Sequence, residues 1–439
     1  MRRLALDATR VGVLAAGLVA ALLPAGCARD AATAPDDPGA PPGAGPPPVV
    51  APDLAELGSR IFDDKGLSLN RNQACASCHD AVYGFTAPEP GVNAGGAVME
   101  GSIVGVFGKR KPPSAAYAAF APVLHRDPDS GGWVGGAFWD GRATGARLGV
   151  AAAEQAEEPL LSHAEQALPD AACVIYRVTH STYASFYEAA WGQDAFAIAF
   201  PGDIDRLCQQ PGATIPLSGR DREQVAWELD HVALSIAAFE ASGIVSPFSS
   251  KFDAWKRGLA TLTPEEARGL ALFEGKARCA ACHPSRGDRP LFTDFGYDNN
   301  GVPPNPASPE LLADPAYRDP GLGGITLGAA DRGRHKVPTL RNVDRRPFPG
   351  AIKAYMHNGA FKSLEQVVHF YNTRDVLPRC GSGADAGGRI GIDCWPAPEV
   401  PDNVNRTEMG NLRLTPEEEA AIVAYLRTLS DGYAAPAGP

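Results

Sequence analysis

The sequence predicts a mostly helical fold with long irregular connections. Apolar residues recur at helical spacing in several segments, whereas the alternating pattern of strands is scarce. The 48 Gly and 40 Pro residues favour loops and turns, and they show no fixed repeat period. A helix followed by a short cysteine string occurs twice, which predicts two related halves.

The overall composition limits the classes of function. At 439 residues, with 44% hydrophobic side chains, the chain is long enough for more than one packed core. Its 40 Lys and Arg residues against 51 Asp and Glu give a net charge of -11. That sign argues against a protein that binds along phosphate backbones.

Residues 1 to 27 have the pattern of an export signal. Early arginines precede an apolar stretch from Val11 to Leu23, which is too short to span a membrane as a mature helix. The five residues ending at Cys27 resemble a bacterial lipoprotein box, although Pro24 stands where Leu is usual. Lipidation of Cys27 and simple cleavage both stay open. We expect export to the periplasm, the outer membrane or the cell surface.

The folded part is expected to start after a linker. Residues 28 to 50 are rich in Ala, Pro, Gly and Asp and have too few large apolar side chains to pack. Beyond Asp53, the spacing of Leu54, Leu57 and Ile61 predicts the first helix.

Two later helices are predicted from capping boxes, in which a Thr and a Glu three residues on cap each other's backbone N–H groups. Thr263 and Glu266 form one such box, and Gly275 follows the helix as a stop signal. Thr415 and Glu418 form the other, which opens the last helix.

The nine cysteines sort into three groups. Cys27 closes the export signal, and four others lie in two Cys-x-x-Cys-His strings that end at His79 and His283. Pairing the remaining cysteines with their nearest neighbours predicts two disulfides, with other connectivities and free thiols as alternatives. The predicted pairs are Cys173 with Cys208 and Cys380 with Cys394.

The Cys-x-x-Cys-His strings predict covalently bound haem. Two thiols three residues apart can form thioethers with the haem vinyl groups, and the adjacent His can bind the iron. A Cys₄ zinc site and a redox-active thiol pair are the alternatives, but neither accounts for a His after each pair. The candidate attachment and ligand residues are Cys75, Cys78, His79, Cys279, Cys282 and His283.

The fold is therefore expected to consist of two cytochrome c-like haem domains. We place the N-terminal domain at residues 51 to 250 and the C-terminal domain at residues 251 to 439. Each begins with an amphipathic helix that leads into its haem string.

From about Asp53 to Tyr433, the chain resembles the bacterial dihaem cytochrome c peroxidases, and in particular their MauG-like branch. That branch oxidises amino-acid side chains of another protein. Besides the haem strings, the resemblance rests on Phe138-Trp139-Asp140-Gly141-Arg142, Phe292-Thr293-Asp294-Phe295, Gly301-Val302-Pro303, Val337-Pro338-Thr339-Leu340-Arg341-Asn342 and Tyr355-Met356-His357-Asn358-Gly359.

The resemblance implies that the N-terminal haem reacts with peroxide under a Gln and a Glu ten residues apart. Gln155 and Glu165 have this spacing, and a carboxyl group there can move the peroxide proton. The alternative is that both are solvated residues of a polar loop.

Many relatives carry a second His about sixteen residues after the first iron ligand. That count from His79 reaches Gly95, and the next histidine is His125, which we expect in an exposed loop. The resemblance therefore implies an open, five-coordinate iron at His79.

The second haem has a distal ligand fourteen residues after the His of the Tyr-x-His-x-Gly string. The ligand is Met in ordinary peroxidases and Tyr in the MauG-like branch, and the count from His357 reaches Tyr371. A phenolate favours oxidised iron. In the alternatives, Tyr371 is a core aromatic and His369 or Met356 binds instead.

Two further positions follow from the resemblance. Trp139 matches the tryptophan that relays electrons between the haems, with a plain core tryptophan as the alternative. Lys111 stands where relatives have an Asn ligand to calcium. Since an ammonium cannot bind Ca²⁺, we expect either that Lys111 takes the place of the cation or that the site is altered, so calcium binding stays open.

Together these features predict an exported dihaem enzyme that reacts with hydrogen peroxide at the His79 haem. The MauG-like interpretation has it oxidise a Trp or Tyr of a protein substrate. One alternative is a peroxidase supplied with electrons by a small cytochrome c or a cupredoxin. Another is a dihaem electron carrier or redox sensor without enzymatic activity.

Overall fold

The computed structural model describes residues 52–381 and 388–434, so the export signal, Cys27 and the linker lie outside the described residues. The α-helices are α1 (Pro52–Phe62), α2 (Cys75–Cys78), α3 (Pro90–Ala94), α4 (Ala151–Leu161), α5 (Ala171–Thr179), α6 (Ala184–Trp191), α7 (Ile204–Leu207), α8 (Gly219–Ala241), α9 (Lys251–Lys256), α10 (Pro264–Glu274), α11 (Pro309–Ala313), α12 (Gly323–Thr326), α13 (Leu364–Thr373) and α14 (Pro416–Arg427).

The strands are short and pair in two antiparallel ribbons. They are β1 (His125–Arg126) with β2 (Trp133–Val134), and β3 (Tyr297–Asp298) with β4 (His335–Lys336). The prediction of a mostly helical fold with long irregular connections is therefore confirmed. Within residues 52–381 and 388–434, no helix has both the length and the apolar character needed to cross a membrane.

Two large hydrophobic clusters fill most of the interior, beside a small one formed by Ala137, Ala143 and Ala151. The first gathers buried side chains between residues 57 and 248, chiefly from α1, α4, α5 and α8. The second gathers residues 252 to 429, chiefly from α10, α13 and α14. The domain boundary proposed at residue 250 falls between the two clusters.

Both halves use the same helix crossing ahead of the cysteine string. Helix α1 packs against α8, and α10 packs against α14. A Cβ atom on Gly58 of α1 would lie 1.9 Å from the carbonyl oxygen of Ser235, and one on Gly269 of α10 would lie 1.9 Å from that of Ala421. Each glycine thus permits a backbone approach that any side chain would block.

The structure contains the capping boxes and the disulfides that the sequence predicts. Thr263 and Thr415 each accept a hydrogen bond from a Glu N–H in a complete capping box, at the starts of α10 and α14. Both predicted disulfides are confirmed, and the first joins Cys173 in α5 to Cys208 at the end of α7. The second joins Cys380 to Cys394.

Arg341, from one of the quoted family strings, joins the two clusters. Its guanidinium is buried and donates to both carboxylate oxygens of Asp253 at 2.9 Å. It also lies over the rings of Tyr117 and Phe248 in the first cluster and Phe292 in the second. The ion pair lies within the C-terminal half and is costly to break because both charges are buried. The contacts with Tyr117 and Phe248 are the ones that reach across to the N-terminal half.

We predict that Gly58→Ala and Gly269→Ala each destabilise the protein, because the added methyl group must displace backbone atoms of the facing helix. The expected loss is about 1–3 kcal/mol, or more where the helices cannot separate. Thermal unfolding of the haem-loaded protein, followed by circular dichroism, measures it.

Gly219→Ala is the matched control, since Gly219 is also helical and a Cβ there meets nothing within 4 Å. Wild-type thermal midpoints for both crossing variants would contradict the close approach of the helices.

Candidate functional site

The two Cys-x-x-Cys-His strings have the same local geometry. The His79 N–H donates to the Cys75 carbonyl at 2.9 Å, and the His283 N–H donates to the Cys279 carbonyl at 2.9 Å. Each turn therefore folds its imidazole back beside its two thiols.

In both strings a phenylalanine carbonyl orients the imidazole. His79 Nδ1 lies 3.0 Å from the oxygen of Phe85, and His283 Nδ1 lies 2.8 Å from that of Phe292. Both phenylalanines have a left-handed backbone, with φ of 58° and 52°. Donation from Nδ1–H makes Nε2 the nitrogen that can bind a metal.

The cysteine thiols match haem attachment better than the alternatives. Burial raises the pKa of Cys78 and of Cys279 to about 12, whereas a redox-active thiol pair needs a lowered pKa. The strings also line two different cavities, so the described residues do not bring four thiols together for zinc. Two thiols and one imidazole in each cavity are the donor set for a covalently bound haem.

The first cavity contains the predicted catalytic pair. Cys75, Cys78 and His79 line it together with Gln155 and Glu165. Gln155 lies on α4, and Glu165 lies in the turn just after that helix. Both side chains are half-buried and line the cavity, which favours the catalytic interpretation over solvated residues of a polar loop.

Glu165 is placed to accept and return a proton within the first cavity. Burial raises the pKa of its carboxyl group, against the opposing charge of Arg142. A carboxyl group with a raised pKa inside a cavity is a common feature of general acid–base catalysts.

Among the described residues, His79 is the one histidine that lines the first cavity. The open, five-coordinate iron expected at His79 stays a prediction. His125 does not lie in an exposed loop as expected: it is half-buried in β1, and its Nδ1 is 2.8 Å from the Val123 carbonyl. It does not line the cavity.

The second cavity contains the predicted tyrosine. Tyr371, on α13, lines it together with Cys279, Cys282 and His283. The Tyr371 hydroxyl accepts a hydrogen bond from Asn300 Nδ2 at 3.0 Å. Burial raises the pKa of this phenol, so a bound cation is needed to hold it as phenolate.

The two alternative ligands, His369 and Met356, differ in whether they line the second cavity. His369 points away, since its Nδ1 is 3.0 Å from both carboxylate oxygens of Glu419 and it does not line the cavity. Met356 lines the cavity, and its sulfur is 3.9 Å from the Tyr371 hydroxyl. Met356 therefore stays the alternative ligand.

Trp139 lines both cavities and is buried. Its indole N–H donates to the Lys111 carbonyl at 2.8 Å, and its own carbonyl accepts the Lys336 N–H at 2.8 Å. These two bonds fix the ring in the wall that the cavities share.

Lys111 is buried in the first cavity. Its ammonium donates to the hydroxyl of Thr86 at 2.8 Å and to the carbonyl of Pro112 at 3.0 Å. Burial lowers the pKa of Lys111 to about 7. A cationic side chain offers no oxygen to Ca²⁺, so the residues at this position do not fit a calcium site.

A network of charged side chains beside Trp139 was missed by sequence reasoning. Arg110 donates to Asp140 at 2.6 Å and to both oxygens of Asp319 at 2.6 and 2.7 Å. Arg142 donates to Glu158 at 2.8 Å and also to Asp140. Asp140 and Arg142 could have been found from their string with Trp139, whereas Asp319 carries no sequence signal.

The chain is similar to known dihaem proteins in sequence and in fold. The family profile described as di-haem cytochrome c peroxidase matches residues 52–261. The methylamine utilization protein MauG of Paracoccus denitrificans is 35% identical over 397 residues, which is 86% of this chain and 88% of MauG. The cytochrome-c peroxidase IdrP1 of Denitromonas iodatirespirans is 27% identical over 401 residues, covering 86% of this chain and 81% of IdrP1.

Among solved structures, the diheme peroxidase BthA from Burkholderia thailandensis superposes with a TM-score of 0.64 at 30% identity, over 87% of each chain. The chain therefore belongs to the di-haem cytochrome c peroxidase family. It is a peroxide-dependent dihaem oxidoreductase with two haem c groups, and its partner is a protein or a cytochrome.

We predict that Glu165→Gln slows the reaction with hydrogen peroxide by roughly 10²–10⁴-fold, because an amide cannot accept the peroxide proton. In the wild type, the rate should fall as the pH drops through the raised pKa of Glu165, since the carboxylate is then protonated. The variant should lose this acid limb. Stopped-flow absorption measures both effects.

Glu157→Gln is a suitable control, because Glu157 is on the same helix as Gln155 but does not line the cavity. A wild-type rate and pH profile in Glu165→Gln, with haem content unchanged, would remove Glu165 from the catalytic pair.

Proposed function

We propose that the protein uses hydrogen peroxide to oxidise a Trp or Tyr side chain of another protein, in the manner of the MauG-like branch. The observation that carries the proposal is the pair of cavities that share Trp139 in their walls, one lined by His79 and the other by Tyr371. The bound haems would supply the cleavage of peroxide and the storage of its two oxidising equivalents.

In this proposal the N-terminal half, residues 51 to 250, reacts with peroxide. Cys75 and Cys78 attach the haem, and His79 Nε2 binds the iron. The Glu165 carboxylate takes the proton from the near oxygen of peroxide and returns it to the far oxygen. The Gln155 amide holds the peroxide in place by hydrogen bonding.

The C-terminal half, residues 251 to 439, stores and passes on electrons. Cys279 and Cys282 would attach the second haem, and His283 and Tyr371 would bind its iron. Trp139 relays electrons between the halves. Its indole N–H faces a backbone carbonyl, which is not a base, so the ring keeps its proton during transfer.

A cytochrome-c peroxidase is the second candidate function. In it, a small cytochrome c or a cupredoxin supplies the electrons that reduce hydrogen peroxide. Two observations favour it: the similarity to IdrP1 and the position of Met356, whose sulfur lies 3.9 Å from the Tyr371 hydroxyl. Met ligation would give the second haem the higher potential that an electron acceptor needs.

We also propose that the chain is exported to the periplasm, with Cys27 as a lipid anchor if the N-terminal signal is processed as a lipoprotein. Support comes from the signal pattern alone, which lies outside the described residues. Intact-mass analysis of the mature protein distinguishes a lipidated Cys27 from simple cleavage.

We predict that Tyr371→Phe changes the low-spin absorption and electron paramagnetic resonance signals of the second haem and leaves the peroxide-reactive haem in place. The reason is that phenylalanine cannot bind iron. Tyr425→Phe is the matched control, since Tyr425 is a buried tyrosine of the same cluster that does not line the cavity.

An unaltered low-spin signal in Tyr371→Phe would show that Tyr371 is not the ligand. If Met356→Leu then changed that signal, the cytochrome-c peroxidase function would be favoured.

We propose that the Lys111 ammonium takes the place of the family's calcium ion. We predict that dialysed protein holds no stoichiometric calcium by elemental analysis, and that Lys111→Asn gains one tightly held ion. Lys109→Asn is the control, because the Lys109 side chain is 64% exposed. One calcium ion per chain in the wild type would contradict this role of Lys111.

A further inference from the structure

The wall of the second cavity contains a histidine with a free lone pair. His335 lies on β4, and its Nδ1 is 3.1 Å from the Gly333 carbonyl, to which it must donate. Its Nε2 is shielded from solvent and has no hydrogen-bond partner among the described residues. A neutral His335 therefore presents a bare, buried lone pair.

The carboxyl group of Asp319 lies beside that lone pair. The Oδ2 atom of Asp319 lies 3.4 Å from His335 Nε2. Although burial opposes it, the hydrogen bonds from Arg110 hold the pKa of Asp319 well below its usual range. Asp319 is therefore a carboxylate, and a proton on His335 would gain an ion pair with it.

A second histidine completes the arrangement. The ring of His357 stacks on that of His335, with centroids 3.6 Å apart and planes 11° from parallel. His357 Nε2 lies 3.1 Å from Oε2 of Glu399 and donates to it. The edge of His357 also faces Trp139, with ring centroids 6.5 Å apart.

This cluster is better suited to a proton than to a metal ion. Nearly parallel stacked rings cannot both direct a lone pair at one ion, and Arg110 already occupies both oxygens of Asp319. Burial and the neighbouring His357 lower the pKa of His335 to about 4, so His335 is neutral at neutral pH.

The charges around the cavity favour uptake of a proton when an electron enters. The cavity is lined by four carboxyl side chains and by two basic side chains other than histidine, Arg278 and Lys336. Burial lowers the pKa of Lys336 to about 7, which weakens that positive charge. The carboxyl residues are Asp298, Asp319, Glu399 and Glu408.

We propose that His335, paired with Asp319, binds one proton when the second cavity gains an electron and releases it when the electron leaves. The inference rests on the proposed function in one respect, namely that this cavity holds the haem attached at His283. On reduction, one electron from the protein or cytochrome partner goes to the iron, and one proton from solvent binds His335 Nε2. Reoxidation releases both.

The consequence is a reduction potential that depends on pH. When one proton is taken up with one electron, the reduction potential falls by about 59 mV for each pH unit. Each pH unit changes the proton concentration tenfold, and for one electron a tenfold change corresponds to about 59 mV. The dependence begins above the pKa of His335 in the oxidised protein and ends above its pKa in the reduced protein. Because a lower reduction potential stabilises the oxidised form, the second haem would hold an oxidising equivalent more easily at higher pH.

The test is a spectroelectrochemical titration of the second haem in the purified dihaem protein, from pH 5 to pH 8. We expect the wild-type potential to fall with pH and the slope to flatten in His335→Phe. His335→Gln should flatten the slope equally, because an amide does not titrate. This polar variant keeps the test usable if His335→Phe does not fold.

His231→Phe is the matched control. His231 also stacks on an aromatic ring, that of Trp191, and lies 3.0 Å from the carboxylate of Glu228, but it does not line the second cavity. Its slope should equal that of the wild type.

A wild-type slope in both His335 variants would overturn the proposal and assign the proton to another group, such as the haem's own carboxylates. Failure of the proposed function would look different. In that case the second haem would keep its signal in Tyr371→Phe, whatever the slope in the His335 variants.

Discussion

Trp139 and its two backbone hydrogen bonds form the contact on which the rest of the site depends. The indole N–H binds the Lys111 carbonyl in one segment, and the Trp139 carbonyl accepts the N–H of Lys336 in another. Because these segments also line the cavities, the ring is held where the two cavities meet. Loss of either bond would leave a buried polar group unpaired, at about 1–3 kcal/mol. The buried Arg341 guanidinium pairs with Asp253 within the C-terminal half and also contacts the rings of Tyr117 and Phe248 in the N-terminal half.

The same local features form the cavity in each half. A glycine lets two helices approach closely, a short turn follows, and a left-handed phenylalanine turns its carbonyl toward the imidazole. The halves then differ in what they add. The first cavity adds Gln155 and Glu165, whereas the second adds Tyr371 and a cluster of histidines and carboxylates. Under the proposed function, the first cavity is the site that reacts with peroxide and the second is the site that stores charge.

Much of the fold and of the candidate site could be predicted from the sequence, because those features depend on short stretches of chain. Capping at Thr263 and Thr415 and the Cys-x-x-Cys-His turns are local, and spacing along the quoted strings placed Tyr371 on the second cavity. The cluster of Asp319, His335, His357 and Glu399 was not predicted, because its members come from four separate loops or strands. The exposed loop expected for His125 was wrong, because a two-residue pairing with β2 is too short to leave an alternating pattern.

Shared storage of oxidising equivalents is tested most directly by rapid-scan absorption after stoichiometric hydrogen peroxide is added to the fully oxidised dihaem protein, with no electron donor present. Two cavities joined by Trp139 predict that the spectra of both haems change together and that the changed spectrum persists. Reaction only after partial reduction, followed by turnover with a reduced small cytochrome, would contradict shared storage and show a cytochrome-c peroxidase.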